Sequence, residues 1–346
     1  MIDRSYAEYA WNMTEKALSI DSPVGYTMDV AAWSKKVFED MGFRTHYSVK
    51  GGVIVDLGGQ DTEDALLLTV HSDTLGGMVS TIKGDGRLKL TPLGGLEPNN
   101  TETENVRVHT RDGRVYEGTC QLTNASFHVN EAYEDTTRDW DTLEIVLDED
   151  VHSAADTRAL GIEVGDIVCF EPRTRRTASG YIKSRFLDDK LSMGIVMGFA
   201  KYIADNKITL PRKTYVDITI YEEVGHGCSS MDLIGVTEIL SVDMGCVGEG
   251  LQCTEKQVSI CAKDKGGPYN YQMVTKLINA AKKMEADYAV DVYPRYSSDA
   301  TAALRGGADV RHGLIGAGVY ASHGYERSHM DGLYNTMKVI CGYLDV

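Results

Sequence analysis

The sequence predicts a doubly wound α/β fold with a mixed sheet, interrupted by an inserted all-β domain. Helical and strand-like segments alternate in the first and last thirds of the 346 residues, which is typical of a sheet flanked by helices. Between residues 78 and 172, short alternating strands are separated by turn sequences and no helical pattern of useful length occurs. We therefore predict an α/β domain formed by residues 1–77 and 173–346, with residues 78–172 inserted as a barrel-like or sandwich β domain.

The elements of the α/β domain follow from the spacing of apolar residues. Residues 28–41 place apolar side chains at near-helical spacing, whereas residues 53–57 and 65–70 are the short apolar runs of buried strands. The second half of the domain continues the alternation, and its predicted elements are a helix at 190–205, strands at 214–221 and 238–243, a helix at 271–287 and a strand at 288–293.

The inserted domain has a different pattern of apolar and polar residues. Alternating apolar and polar residues predict five strands there, at 78–83, 87–91, 114–123, 143–147 and 166–170. Glycine and aspartate pairs between these strands favour tight turns.

Composition narrows the class of protein. The chain is 42% hydrophobic, which excludes a disordered protein, and its 35 basic against 51 acidic residues give a net charge of −16. A nucleic-acid binder would need a basic surface. Seven scattered cysteines without a C-x-x-C pair, and no apolar run of signal-peptide or membrane-span length, favour a reducing compartment. We expect a soluble cytoplasmic protein that binds neither nucleic acid nor membrane.

Polar residues stand directly after three of the predicted strands. The first strand of this set ends in His71, the second is followed by Glu222 and Glu223, and the third by Asp243. The carboxyl ends of strands are where open α/β sheets build their active sites. Each motif alone has a structural explanation, but these explanations do not account for ligand-type groups at three strand ends.

Histidine and carboxylate groups together indicate a pair of divalent cations. Asp188, just before the helix at 190–205, and His323 extend the set of such groups. Imidazole and carboxylate ligands suit zinc, cobalt or manganese, and one carboxylate can be shared between two ions. In the motif H-x-D, Asp73 can accept the ring N–H of His71 and so fix its tautomer. Of two adjacent glutamates, one can bind a metal while the other acts as a general base.

The order of these motifs resembles metallopeptidase family 42, the tetrahedral and glutamyl aminopeptidases. H-x-D at 71–73, D-D-K at 188–190 and E-E-V-G at 222–225 are followed by an aspartate after a strand and a histidine near the C-terminus. Flanking segments at 20–25, 51–55, 94–95 and 161–166 are also similar, so the resemblance spans almost the whole chain. It implies a zinc-peptidase-like catalytic domain and a β insertion that mediates subunit contacts, by analogy in a dodecamer built from dimers.

The resemblance also implies a role for each residue of the set. Two divalent ions, zinc or else cobalt or manganese, are held by ligands of which Asp188 is shared. His71 and Asp243 complete the protein ligands of one ion, and Glu223 and His323 those of the other. Two further residues are catalytic: Glu222 takes a proton from the water that attacks a peptide carbonyl, and Asp73 orients His71.

The sequence departs from the family pattern at three places. Lys190 stands where the family usually has arginine, and His226 lies in a turn one residue tighter than usual. His323 is followed by G-Y-E rather than Ser-Pro, which leaves His329 as a rival ligand. These departures indicate a divergent branch.

The function predicted from this set is removal of N-terminal residues from peptides by a dinuclear metal-dependent aminopeptidase. A related metal-dependent amidohydrolase, either a deacylase or a carboxypeptidase-like enzyme, would use the same five ligands. A scaffold that has lost turnover is the non-enzymatic alternative, and it predicts well below one ion per chain. The preferred N-terminal residue is left open by the sequence.

Overall fold

The computed structural model describes residues 2–230 and 235–346, and the chain divides into two compact units. One unit comprises Met1–Asp73 and Arg173–Val346, and the other comprises Thr74–Pro172. The second unit starts four residues before the boundary placed at 78, because its first strand already begins at Gly76.

Seven α-helices occur in the described ranges. In chain order they are α1 Ser5–Leu18, α2 Met28–Asp40, α3 Ala154–Ala159, α4 Leu187–Asn206, α5 Tyr271–Lys283, α6 Asp299–Arg305 and α7 Met330–Tyr343. Helix α3 lies in the inserted segment, where no helical pattern of useful length is predicted. It is a six-residue helix whose N-cap, Ser153, accepts a hydrogen bond from the backbone of Asp156.

The strands in the described ranges outnumber the helices. In chain order they are β1 Arg44–Tyr47, β2 Val53–Gly58, β3 Asp61–His71, β4 Gly76–Ile82, β5 Leu88–Leu93, β6 Asn105–His109, β7 Val115–Leu122, β8 Leu143–Leu147, β9 Ile167–Phe170, β10 Arg175–Arg176, β11 Tyr181–Ser184, β12 Arg212–Thr219, β13 Val236–Val242, β14 Gly245–Val247, β15 Val258–Asp264, β16 Gly267–Pro268, β17 Tyr288–Val292, β18 Arg311–Tyr320 and β19 Glu326–His329.

The larger unit is built on a mixed sheet. Its main path runs β1-β2-β12-β3-β13-β18-β19-β11-β10, with β14, β15, β16 and β17 joined to it beside β18. Strand β3 is parallel to both of its neighbours, β12 and β13, while β2 pairs antiparallel with β12. Leu66, Leu67 and Leu68 on β3 are fully buried, as expected for a parallel strand covered on both faces.

The smaller unit is a closed barrel. Its strands follow each other around the barrel in the order β4-β5-β8-β7-β6-β9. Closure leaves no free sheet edge, and apolar side chains such as Val108, Leu122 and Ile145 fill the interior. The predicted fold class, an α/β unit with an inserted all-β barrel, is therefore confirmed. None of the helices in the described ranges is long and apolar enough to cross a membrane.

An ion-pair network ties together the amino ends of the central strands. Glu238 on β13 is buried and accepts hydrogen bonds from Arg212 on β12, Arg311 on β18 and the hydroxyl of Tyr343 on α7. Burial alone would raise the pKa of Glu238, but the Tyr343 hydrogen bond and the two guanidinium groups lower it to about 2. The network lies at the edge of the sheet opposite the strand ends that carry the candidate ligands.

Replacing Asp217 on β12 by asparagine is expected to stabilise the protein increasingly as the pH rises from 5 to about 8. Burial and the charge of Asp299 raise the pKa of Asp217 to about 8, whereas in the unfolded chain it returns to about 3.9. The folded state therefore binds a proton that the unfolded state has released, and its stability falls with pH in this window. The measurement is the difference in Tm between Asp217→Asn and wild type from pH 5 to 9.

The exposed Asp309 provides the control for this experiment. Asp309→Asn should leave the Tm difference near zero across the same range. A Tm difference for Asp217→Asn that does not change with pH would contradict the prediction.

Candidate metal centre

The predicted strand ends lie side by side. Because β12 and β13 are parallel to β3 and flank it, the carboxyl ends of all three strands meet at one edge of the sheet. His71 is the last residue of β3 and pairs with Thr219, the last residue of β12. Glu222 and Glu223 begin a 3-10 turn just after β12, and Asp243 follows β13 directly. The sheet thus brings together the residues that the sequence places after its apolar runs.

Two further segments bring Asp188 and His323 to this edge. Asp188 lies at the start of α4, where its backbone is not helical and its peptide bond to Asp189 is cis. His323 lies in the loop between β18 and β19. Phe186, Tyr221 and His323 have φ angles of 66°, 69° and 62°, a left-handed region that costs free energy for residues other than glycine. Such conformations cluster at functional sites.

Asp188 lies between the two histidines. Its Oδ1 is 3.1 Å from Nε2 of His71, and its Oδ2 is 3.7 Å from Nε2 of His323. Nε2 of His323 is also 3.6 Å from Oε2 of Glu223. One carboxylate therefore faces two separate histidine nitrogens with its two oxygens.

The donor atoms form two groups that share Asp188. His71, Asp188 and Asp243 make one group, and Asp188, Glu223 and His323 make the other; within each group the ligand atoms lie within 4.8 Å of one another. Imidazole nitrogen and carboxylate oxygen are donors that zinc, cobalt and manganese accept, and three protein ligands leave positions open for water or substrate. The residues fit a pair of divalent cations.

The hydrogen bonds of the H-x-D motif differ from those predicted from the sequence. The ring Nδ1–H of His71 donates to the backbone carbonyl oxygen of Asp73 at 2.9 Å, whereas the Asp73 carboxylate is 3.7 Å away. A carbonyl acceptor requires the proton on Nδ1, so Nε2 is the nitrogen that faces Asp188, and it can bind a metal when it carries no proton. The Asp73 carboxylate instead accepts the backbone N–H groups of Glu222 and Glu223, both at 3.2 Å. It therefore orients the glutamate turn.

The electrostatics of the cluster favour bound cations. Burial raises the pKa of Glu222 and Glu223 well above the usual glutamate value, and neighbouring carboxylates raise it further. Burial and the charge of Asp188 raise the pKa of Asp243 to about 7. Burial acts to lower the pKa of His71, but the hydrogen bond with Asp188 and the nearby carboxylates raise it well above the usual histidine value. The carboxylates repel one another, and dications would offset that repulsion.

Glu222 lies beside the two groups of donor atoms and belongs to neither. Its Oε2 is 3.8 Å from Nε2 of His71, and its side chain is 14% exposed. A carboxyl group set next to a cluster of metal-type donors, but outside both groups, is placed to act as a general base when cations occupy the cluster.

His329, the rival of His323, lies in a different environment. Its Nε2–H donates to the carbonyl oxygen of Ser179 at 2.9 Å, and its Nδ1 accepts the N–H of Asp331 at 3.0 Å, which caps the start of α7. Both ring nitrogens therefore have structural partners. His323 is the histidine that lies beside Asp188 and Glu223.

Lys190 and His226, the other two departures from the family pattern, also have defined contacts in the structure. The ammonium group of Lys190 is buried and donates to the carbonyl oxygens of Ala17 at 2.9 Å and Ile20 at 2.6 Å, so it holds the end of α1. His226 is exposed and stacks on the ring of Tyr221, with the ring centroids 5.1 Å apart. The backbone N–H of His226 also donates to the carbonyl oxygen of Tyr221 at 3.1 Å, so the two stacked residues are joined across the turn that contains Glu222 and Glu223.

Glu326 is a site residue that sequence reasoning missed. It is buried, and its Oε2 accepts the backbone N–H of Asp188 while its Oε1 accepts that of His323, both at 3.0 Å. One carboxylate thus sets the relative position of the two segments that carry Asp188 and His323. The sequence signal was an acidic residue three positions after His323, too weak to be interpreted without knowing that β19 is buried.

Fold and site together define a class of protein. Imidazole and carboxylate donors at the carboxyl ends of sheet strands, with a further carboxylate beside them, are the arrangement of metallohydrolases. Comparison with known proteins identifies the group within this class. The family profile of M42 glutamyl aminopeptidases matches residues 51–339, most of the chain. The chain belongs to this family, as its motifs predicted, and is a hydrolase of peptide bonds.

Individual relatives agree with this assignment. The protein YhfE of Bacillus subtilis (strain 168), provisionally described as an aminopeptidase, is 42% identical over 332 residues, covering 96% of both chains. The aminopeptidase APDkam598 of the archaeon Desulfurococcus kamchatkensis has the same fold, with a TM-score of 0.88 at 21% identity over 98% of this chain and 95% of that one. The TET1 peptidase of Pyrococcus horikoshii, described as assembling into a tetrahedron or a large octahedral shell, has a TM-score of 0.84 at 20% identity, covering 97% and 99%.

Proposed function

We propose that the protein is a dinuclear metal-dependent aminopeptidase that removes N-terminal residues from peptides. The observation that carries the proposal is the position of Asp188, whose two oxygens face His71 and His323 at 3.1 and 3.7 Å. A carboxylate placed in this way is suited to bridge two ions. His71 and Asp243 would complete the protein ligands of one ion, and Glu223 and His323 those of the other.

In this proposal the cations, Glu222 and Asp73 have separate roles in catalysis. When bound, the two cations would polarise the scissile carbonyl and lower the pKa of the attacking water. Glu222 accepts the proton that this water loses and delivers it to the leaving amine. Asp73 holds the backbone of Glu222 and Glu223 so that the base and the ligand keep their positions. The native ions are zinc in this proposal, with cobalt and manganese as alternatives that the same donors accept.

The test is a panel of chromogenic aminoacyl substrates with free and with acetylated α-amines, assayed after metal is added back to the apoprotein. We expect hydrolysis of the free amines and none of the acetylated forms. Zinc, cobalt and manganese are added separately, so the panel also ranks the metals. Release of acetate from the acetylated substrates, without release of the chromophore from the free amines, would assign the deacylase activity instead. Glu222→Gln, prepared in parallel, separates activity of this site from that of a contaminating peptidase.

We also propose that the protein assembles with itself, as a dodecamer built from dimers. The P. horikoshii relative, described as assembling into a tetrahedron or a large octahedral shell, supports this proposal, and the inserted unit Thr74–Pro172 is the proposed contact element. Sedimentation velocity measures the assembly directly. We expect the mass of twelve chains of 38.0 kDa; a monomer at micromolar concentration would contradict the proposal.

A further inference from the structure

We infer that Asp299 is a positioning residue that fixes the turn carrying Glu222 and Glu223, by holding the chain on both sides of that turn. The inference rests on the proposed function, in which Glu222 is the base and Glu223 a ligand. Asp299 is the first residue of α6, a short helix in the larger unit, and is 2% exposed.

The carboxylate of Asp299 joins the two ends of the turn. Its Oδ2 accepts the hydroxyl hydrogen of Thr219, the last residue of β12. Its Oδ1 accepts the backbone N–H of Cys228 at 2.8 Å. Glu222 and Glu223 lie between these two anchor points, so one side chain closes the segment that contains them.

Close packing supports this arrangement. A Cβ atom on Gly227 would lie 2.2 Å from Oδ1 of Asp299, so the backbone can approach the carboxylate only because residue 227 is glycine. Asp73 holds the same turn through the N–H groups of Glu222 and Glu223. The turn is therefore fixed at its middle by one buried carboxylate and at both ends by another.

The turn needs such support because its backbone is unfavourable. Tyr221, immediately before Glu222, has a φ angle of 69°, which costs free energy for a residue with a Cβ atom. Val224 and Gly225 after the glutamates are exposed, so packing there contributes little.

The hydrogen bonds of the Asp299 carboxylate are directed away from its own helix. The N-cap of α6 is Ser298, and both hydrogen bonds described for the Asp299 carboxylate go to Thr219 and Cys228 outside the helix. A carboxylate that only capped α6 would be directed at the first N–H groups of the helix. The direction of these hydrogen bonds assigns Asp299 to the glutamate turn.

The experiment compares Asp299→Ala with Asp299→Asn in the full chain. The alanine variant loses both anchors, so we expect kcat to fall about 100-fold while KM stays within about threefold. The amide of the asparagine variant can accept the Cys228 N–H and donate to the Thr219 hydroxyl, so we expect most of kcat to return. Hydrogen–deuterium exchange of the peptide covering residues 219–230, measured without added metal, should be faster in the alanine variant and near wild type in the asparagine variant.

Asp264 provides the matched control. It is buried, accepts backbone N–H groups and contacts the hydroxyl of Thr301 on the same helix α6, but none of its described hydrogen bonds reaches the glutamate turn. Asp264→Ala should lower the Tm and leave kcat per folded chain unchanged. Equal losses of kcat in Asp264→Ala and Asp299→Ala would overturn the inference, since they would indicate general loosening of α6.

A third variant keeps the inference testable if Asp299→Ala does not fold. Thr219→Val removes one anchor with little change in shape, and we expect about tenfold lower kcat with faster exchange of residues 219–230. Wild-type kcat and exchange in Thr219→Val, or in a folded Asp299→Ala, would overturn the inference. Full activity of Glu222→Gln would instead overturn the proposed function, so the two failures are distinguishable.

Discussion

Glu222→Gln is expected to lower kcat for peptide hydrolysis by about a thousandfold or more while leaving the metal content unchanged. Glutamine has the shape of glutamate but cannot take a proton from water, and general-base catalysis contributes about 10²- to 10⁴-fold. Glu222 lies beside the two donor groups and belongs to neither, so its replacement removes no proposed ligand. The measurements are steady-state kinetics and elemental analysis of the same preparation.

The neighbouring residue supplies the matched comparison. Glu223→Gln makes the same chemical change one position along the same turn, but at a proposed ligand. We expect this variant to lose metal as well as activity. Full activity of Glu222→Gln, or loss of metal equal to that of Glu223→Gln, would contradict the assignment of Glu222 as the base.

Asp188→Ala is expected to abolish activity and to lower the metal content below one ion per chain. The residue belongs to both donor groups, so its removal takes one ligand from each ion at once. Metal that binds only the folded state stabilises it by about 4 kcal/mol when present at a thousand times its Kd. Chelation should therefore lower the Tm of the wild type clearly and the Tm of Asp188→Ala very little.

Asp189 tests whether this effect is specific to the bridging position. It is buried next to Asp188, and its Oδ2 accepts the backbone N–H of His71 at 3.2 Å, but it is in neither donor group. Asp189→Asn keeps an acceptor oxygen, so we expect it to retain its metal. An Asp188→Ala variant that still binds two ions per chain would contradict the bridging role.

The position of the site could be predicted because it follows from local patterns. Apolar runs mark the buried strands, and His71 and Asp243 come at the points where these runs end. In a sheet with parallel neighbours such positions converge on one edge, whichever order the strands adopt. The sequence could therefore indicate a metal centre before the neighbours of β3 were known.

The supporting residues could not be predicted, because they act across long distances in the chain. Glu326 binds the backbone of Asp188, and Asp299 binds that of Cys228. Neither contact leaves a spacing pattern, since hydrogen bonds to backbone groups can be made from any element that the fold brings near. For the same reason the acceptor of the His71 ring proved to be a carbonyl oxygen rather than the carboxylate expected from H-x-D.

Strand β18 shows why some elements could not be predicted from the sequence. Its sequence contains three glycines, a residue that is depleted in strands, so the pattern does not predict a strand there. A Cβ atom on Gly316 would collide with the backbone of Asp243, and one on Gly318 with that of Thr254. The glycines are required by close backbone packing beside the candidate centre, where tertiary contact outweighs local propensity.

The most direct test of the account is an anomalous diffraction map at the zinc edge, from crystals of the wild-type protein grown with zinc. We predict two peaks in every chain, one between His71 and Asp243 and the other between Glu223 and His323, with the Asp188 carboxylate shared by both. A single peak, or peaks that leave Asp188 bound to one ion only, would contradict the dinuclear centre and the function proposed from it.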